Sequence, residues 1–387
     1  MKVGIAKPEW GITGGFETHL DRLIAHLRRE GHQVQMLTTP ARSPDSVDAL
    51  TRAQHPSFFD YVGLVHRFEQ LDARDVDVVV TTQPGSWAID HPHKLALFYH
   101  HERIFYDLAE RYQGVSGIDA DVHTEACLLV RELDSRHFGT ISHFLVPSET
   151  VTNRLVEFSG IDRSRMSLYL ACANAEPRTA ATQRRDRVLC VSRNEFTKRT
   201  QLFVAAAHEG FNASATLIGG GGQLPTVRRY AAELSSGVPV EPAPWDAQPA
   251  SERVEVTVPD DPVQILGRVD DDVLAENYSR AICVVAPAYD EDYGLTVLEA
   301  FAFGTPVVVC SDGGGLVEFV EHGRDGFVVD PEPDAIADAV CSIVDDPELA
   351  RRMGAAALQS HSRYTWDQAY LRFSEAVEIV ASGARTA

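Results

Sequence analysis

The chain is short of positive charge, of long apolar runs and of paired cysteines, and each shortage removes a class of function. It has 35 lysines and arginines against 56 aspartates and glutamates, a formal charge of −21. A surface that acidic repels phosphate backbones and anionic headgroups, so neither nucleic acid nor stable membrane association is expected. A local basic pocket stays compatible with it, and an enzyme working on phosphates would need one. No stretch reaches the roughly 20 consecutive apolar residues that span a bilayer. The opening run, Met1 to Ala6, is interrupted by Pro8 and Glu9. It is too short for a secretory leader and reads as a first strand, with the cytoplasm as the expected location. The cysteines, Cys127, Cys172, Cys190, Cys283, Cys310 and Cys341, form no C-x-x-C pair. Three of them lie in apolar strand-like runs, so they read as small buried residues in a reducing compartment. A plain dinucleotide-dependent dehydrogenase is disfavoured, because Gly11 to Gly15 does not give G-x-G-x-x-G.

What is present is a repeated alternation. An apolar strand over 3–6 is followed by Phe16, Leu20, Leu23, Ile24 and Leu27 at helical spacing, then by Gly31 and a strand over 34–38. Strands over 76–81, 95–99 and 144–147 follow. A polar, aperiodic segment over 173–187 reads as a linker, and a second series then begins. Its strands are expected over 188–192, 215–219, 263–266, 282–286 and 306–310, with helices near 199–208, 225–235, 272–281 and 297–303. The stretch 235–261 reads as an exposed insertion with a hairpin over 254–258. At 387 residues the chain exceeds what one core usually serves. The expected fold class is α/β, with two doubly wound Rossmann-like domains facing an interdomain cleft. The first spans 1–175 and the second 186–364.

The densest chemistry lies in 287–300, where an apolar strand runs into an acidic turn, then Gly294, then a helix. Free amides from Leu295 to Val297 at that helix start would favour a phosphate by hydrogen bonding and by the helix dipole. Glu299 sits between Leu298 and Ala300. A carboxylate there faces a polar ligand or is a buried cost, and the bland alternative is that Glu291 and Glu299 only cap and solubilise the helix.

Glu291 and Glu299 stand eight residues apart, followed by the Ala-Phe-Ala-Phe-Gly-Thr-Pro run of 300–306 and by Gly313-Gly314-Gly315. This resembles the E-x7-E signature of family 4 retaining glycosyltransferases, which have the GT-B fold. The form Glu-Asp-Tyr-Gly-Leu-Thr over 291–296 is similar to a mannosyltransferase-like branch. The resemblance implies donor-binding roles for Gly14, Gly15, Gly219, Gly220, Arg268, Val269, Gly294, Leu295, Thr296 and Glu299. It implies catalytic roles for Arg193 and Lys198 on the donor diphosphate and for Glu291 and His100 on the sugar. Read alone, Gly14-Gly15 would be a tight turn and Lys198 a solvated lysine. At the end of the 95–99 strand, alternation lets one of His100 and His101 enter the cleft, and His100 is preferred. His101 and Arg103 remain acceptor candidates. The resemblance also implies that a final helix, about 365–387, packs back on the first domain.

The sequence departs from the family at Asp292, at Thr296 and over 170–174, where Pro-Asn-Gly is missing. No metal and no cofactor are expected. The Asp-x-Asp triplets at Asp75, Asp119 and Asp290 are unremarkable in so acidic a chain. The four histidines His91, His93, His100 and His101 lie at opposite ends of one strand, too far apart to share an ion. The expected activity is retaining transfer of a sugar from a GDP- or UDP-sugar to a small soluble acceptor. A sugar-nucleotide epimerase or a non-catalytic relative on the same fold are the alternatives.

Overall fold

Both strand series form parallel sheets, as βαβ alternation requires. A computed structural model describes residues 1–11, 15–42, 49–173, 185–236 and 262–383. The first series is β1 (Lys2–Glu9), α1 (Gly15–Arg29), β2 (Gln33–Pro40), α2 (Ala49–Gln54), α3 (Pro56–Glu69), β3 (Val78–Thr81), β4 (Lys94–Leu97), α4 (Ala109–Ser116), α5 (Ala120–Phe138), β5 (His143–Val146), α6 (Glu149–Ser159) and β6 (Met166–Leu168). The second is β7 (Arg187–Val191), α7 (Thr200–Gly210), β8 (Ser214–Ile218), α8 (Leu224–Ser235), β9 (Val263–Gly267), α9 (Asp271–Arg280), β10 (Ala281–Ala286), α10 (Leu295–Ala302), β11 (Val307–Cys310), β12 (Gly326–Val329), α11 (Pro333–Val344) and α12 (Pro347–His361). One helix remains, α13 (Trp366–Ala381).

The chain divides into two compact units, residues 1–171 with 365–387 and residues 172–364. In the first, six strands lie in the order β2-β1-β3-β4-β5-β6. Every residue of β3, β4 and β5 is buried, because helices cover both faces. Helix α13 completes this unit. Thr365 caps it by accepting from the Gln368 amide. Its Trp366 ring lies 5.1 Å from His19, and Tyr370 stacks on His26 at 4.2 Å. Ser148 caps α6 by accepting from Val151, and left-handed Gly160 ends it. The core also holds a carboxylate. Fully buried Asp134 accepts from the Tyr61 hydroxyl at 2.5 Å, the Trp87 indole at 2.9 Å and the Tyr106 hydroxyl at 2.7 Å.

The second unit orders its six strands β12-β11-β10-β7-β8-β9. Strand β7 is central, and the chain leaves it first toward β8 and β9 and later toward β10, β11 and β12. The strand order therefore reverses between β7 and β10, where open α/β sheets place ligands beyond the carboxyl ends of the strands. No disulfide joins the six cysteines. Burial pushes the thiols of Cys283 and Cys310 up to about 12, which leaves them protonated and inert. Most of the expected linker, the 254–258 hairpin and Gly14 lie outside the described residues.

Candidate functional site

In the second unit, the loops after β7, β8, β10 and β11 converge at the reversal point. The Nζ of Lys198 and an oxygen of Glu291 meet at 2.5 Å, each side chain 17% exposed. Lys198 follows β7 and Glu291 follows β10, so this pair spans the two strands that flank the reversal. Backbone bonds fix the acidic loop. The amides of Asp290 and Glu291 donate to the carbonyls of Asp312 and Gly313 at 2.8 and 3.0 Å, and Gly315 donates to Glu291 at 2.8 Å. A side chain on Gly314, at φ 59°, would come within 2.9 Å of the backbone of Asp290 and Glu291. The glycine run thus lets two loops lie flat on each other.

Helix α10 begins two residues earlier than the sequence periodicity suggests. Gly294 is its N-cap and supplies no side chain, and the first helical bond is Leu298 to Gly294 at 3.0 Å. The amides of Leu295, Thr296 and Val297 have no acceptor among the described residues, so they form an uncapped positive helix end. The Thr296 hydroxyl reaches the carbonyl of Val191 at 3.4 Å, which draws this end to the tip of β7. Gly294 is required by packing, since a Cβ there would stand 2.7 Å from the Phe319 ring.

Glu299 lies one helical turn further along α10, partly buried. One oxygen accepts from the Tyr278 hydroxyl at 2.7 Å. Burial holds its carboxyl above the ordinary range, against the pull of that bond, and Asp271 adds to the rise. Tyr278 carries no signal in the sequence beyond its place at the end of α9. Arg193 is exposed and makes no ion pair among the described residues. Arg268 is exposed beside Gly220, whose added Cβ would lie 3.8 Å from the Arg268 Cβ, and Val269 is half-buried.

The glycine turn after β8 is fixed by its own backbone bonds. The Gly219 amide is already bonded to the Gly267 carbonyl at 2.8 Å, so it is not a free phosphate donor. Its φ of 142° and a Cβ position 1.7 Å from the Ser192 oxygen give it a packing role. Gly220, by contrast, gives its carbonyl to the Asn194 amide at 2.7 Å, and the Asn194 side chain donates to Gly219 at 2.7 Å. Buried Asn194 thereby locks the β7 and β8 loops together.

The first unit presents a smaller group of the expected residues. Gly15 opens α1, and the Phe16 ring meets Tyr99 edge-on at 5.4 Å, so the α1 start and the His100 loop are neighbours. His100 is half-buried, its Nδ1 2.6 Å from the His101 carbonyl. His101 turns the other way. It is 1% exposed, stacks on Tyr106 at 4.1 Å and bonds Ser159 at 2.8 Å, which corrects its candidacy as an acceptor ligand. Arg103 pairs its guanidinium with Asp107 at 2.8 and 2.5 Å, its side chain 11% exposed. Among the described residues no three His, Cys, Asp or Glu side chains are placed to hold a metal ion, and no helix is long and apolar enough to cross a membrane.

Residues 246–360 match the family described as Glycosyl transferases group 1. Over 97 residues, a quarter of the chain, it is 44% identical to a D-inositol 3-phosphate glycosyltransferase of Streptomyces griseus. The chain spans about a fifth of that relative's length, 20%. It is 29% identical to a glycogen synthase of Mycobacterium tuberculosis over 90% of the chain and 86% of that protein. Among solved structures, a sucrose-phosphate synthase from Thermosynechococcus elongatus superposes with a TM-score of 0.70 at 17% identity, covering 99% of this chain and all of the other. The HepE protein of Anabaena, crystallised with UDP and glucose, does so at 0.64 and 15% identity over 97% and 99%. The two-unit fold is GT-B, and residues 246–360 are similar to a glycosyltransferase domain.

Proposed function

We propose that this chain is a glycosyltransferase that transfers a sugar from a nucleoside diphosphate sugar to a small soluble acceptor with retention at the anomeric carbon. The observation that carries the reading is the Lys198–Glu291 pair standing at the strand-order reversal of the second sheet, with the open amide end of α10 on the same loop. In a chain with a charge of −21, a cation and unpaired amides gathered at one strand edge are a place for a diphosphate.

The roles follow from chemistry. Departure of a nucleoside diphosphate builds negative charge on its phosphate oxygens. Lys198, Arg193 and the amides of Leu295 and Thr296 stabilise that charge, and preorganised charge of this kind is the largest catalytic contribution. Glu291 accepts from sugar hydroxyls once the diphosphate competes for Lys198. The oxygen of Glu299 not bonded to Tyr278 accepts from a ribose hydroxyl, and Arg268 and Val269 flank the base. Among the described residues no carboxylate is assigned the role of a covalent nucleophile. A donor phosphate oxygen takes the acceptor proton, and the chemistry proceeds without a metal. The acceptor's residues belong to the first unit, and the protein works in the cytoplasm. A UDP-sugar is the first donor to try, because HepE was crystallised with UDP, and a GDP-sugar is the second.

The test is a thermal-shift and calorimetric screen of the whole chain against UDP, GDP, ADP and dTDP, since a bound ligand raises apparent stability by mass action. It is followed by product analysis with the matching nucleotide sugar. One diphosphate should stand out, and the glycosidic product should keep the donor's anomeric configuration. Absence of any diphosphate binding, or an epimerised donor with no transfer, would refute the assignment.

A further inference from the structure

Three loops of the second unit meet on one buried guanidinium. Arg199 is 1% exposed, and its backbone is left-handed at φ 47°, a conformation that residues with side chains adopt only when their surroundings hold them. Its Nε donates to the Pro287 carbonyl at 2.7 Å and Nη2 to the Ala288 carbonyl at 3.2 Å. Nη1 and Nη2 also grip the Asp312 carboxylate at 2.9 and 2.5 Å. The Tyr289 ring lies 5.6 Å from the charge. One side chain thus ties the last residue before α7 to the loop after β10 and the loop after β11.

Those are the loops that carry the Lys198–Glu291 pair. Lys198 is the preceding residue, and Glu291 lies three residues beyond Ala288. The backbone repeats the tie, with Tyr289 donating to Thr197 at 2.7 Å. A guanidinium suits this place because its planar fork meets a carboxylate and two carbonyls at once, which an ammonium cannot do. A buried charge kept only for stability is weakly justified, since apolar packing often serves as well. Here the charge sits directly behind the pair that faces the diphosphate in the reading above.

We infer that Arg199, with Asp312 as its counter-ion, is the positioning residue that sets the separation and direction of Lys198 and Glu291. The inference rests on the proposed diphosphate site, and it adds a layer to that site that touches no substrate.

The experiment uses the whole chain with UDP, GDP, ADP and dTDP, each paired with its nucleoside, by calorimetry. The tightest diphosphate is then titrated into Arg199→Lys, Asp312→Asn, Lys198→Ala and the double variant Arg199→Lys/Lys198→Ala. Arg199→Lys should weaken the diphosphate about tenfold and Asp312→Asn about threefold, with nucleoside affinity changed less than about twofold. In the Lys198→Ala background, Arg199→Lys should add less than about twofold, because it acts through Lys198. Asp312 is one-third exposed, so Asp312→Asn carries the test if Arg199→Lys does not fold. Unchanged diphosphate affinity in the folded variants, an equal loss of nucleoside affinity, or full additivity with Lys198→Ala would overturn the inference. If the wild-type chain binds none of the four diphosphates, the proposed function itself falls and the inference with it.

Discussion

The hydroxyl of Tyr278 donates to one oxygen of Glu299 across 2.7 Å, and the Tyr278 ring is held in place by stacking on Phe303 at 5.3 Å and 12°. Glu299 is therefore oriented before any ligand arrives. Glu299→Ala should raise the dissociation constant for the nucleoside diphosphate about tenfold, and Tyr278→Phe about threefold, by loss of one charge-assisted bond. Burial raises the Glu299 pKa, so affinity should begin to fall at a higher pH than an ordinary carboxylate gives as the solution is acidified. Tyr278→Phe removes a bond to the charged form and should move that fall to higher pH still. Calorimetry across pH 4 to about 8 checks both, and an affinity indifferent to Glu299→Ala contradicts a ribose contact.

Lys198→Ala should lower kcat about 100-fold or more, the usual cost of removing one stabilising group from a leaving anion. Circular dichroism should be unchanged, since Lys198 is only partly buried. Turnover should survive excess EDTA. Near-normal turnover in Lys198→Ala removes the diphosphate role, and loss of activity with the chelator removes the metal-free chemistry.

Gly219 and Gly220 are neighbours with opposite expected tolerance. A Cβ at Gly219 would lie 1.7 Å from the Ser192 oxygen, at a φ of 142° that side chains avoid. Gly219→Ala should cost about 3 kcal/mol or more in urea denaturation and should impair diphosphate binding, because the β7 loop must move. At Gly220 the nearest atom would be the Arg268 Cβ at 3.8 Å, so Gly220→Ala should stay within about 1 kcal/mol. Equal stability of the two variants would contradict the packing described for these loops.

In the first unit, burial raises the Asp134 pKa from 3.8 to about 6, with hydrogen bonds from Tyr61, Trp87 and Tyr106 opposing the rise. Between those values the folded state binds more protons than the unfolded state, so this residue's contribution to stability declines as pH rises from about 4 to about 6. The full decline is of order 3 kcal/mol. Asp134→Asn keeps the shape, with its amide nitrogen donating where a carboxylate oxygen accepted, and should flatten that slope. Denaturation midpoints at several pH values, read by circular dichroism, compare the two chains. Parallel pH profiles would show that Asp134 keeps an ordinary pKa.

Ten of the twelve described strands were legible because their signals are local, whereas the short edge strands β6 and β12 were not. Buried parallel strands read as apolar runs, and Glu291, Gly294 and Glu299 sit in one continuous segment. The helices over 49–138 were not legible, and α5 shows why. Its inward face carries His123 and Asp134, polar residues satisfied by buried partners, while Leu128 and Leu129 point outward at 61% and 45% exposure. The hydrophobic period that marks a helix is inverted at those positions. His101 failed for a related reason, since a strand-end histidine in the sequence does not declare whether Ser159 and Tyr106 will claim it. Arg199 was passed over beside Lys198 because burial of a charge depends on three distant loops. Tyr278 and Asp312 act through partners 21 and 113 residues away.

Helix α13 has a consequence for how the chain is made. Its residues belong to the first unit, yet they leave the ribosome only after every residue of the second has emerged. During synthesis the second unit can close its own sheet while the first still lacks the helix bearing Trp366, Phe373 and Val377. Until then the face of α1 that receives the Trp366 and Tyr370 rings stands open to solvent and to chaperones. The half of the protein translated first is thus the half whose last element is translated last.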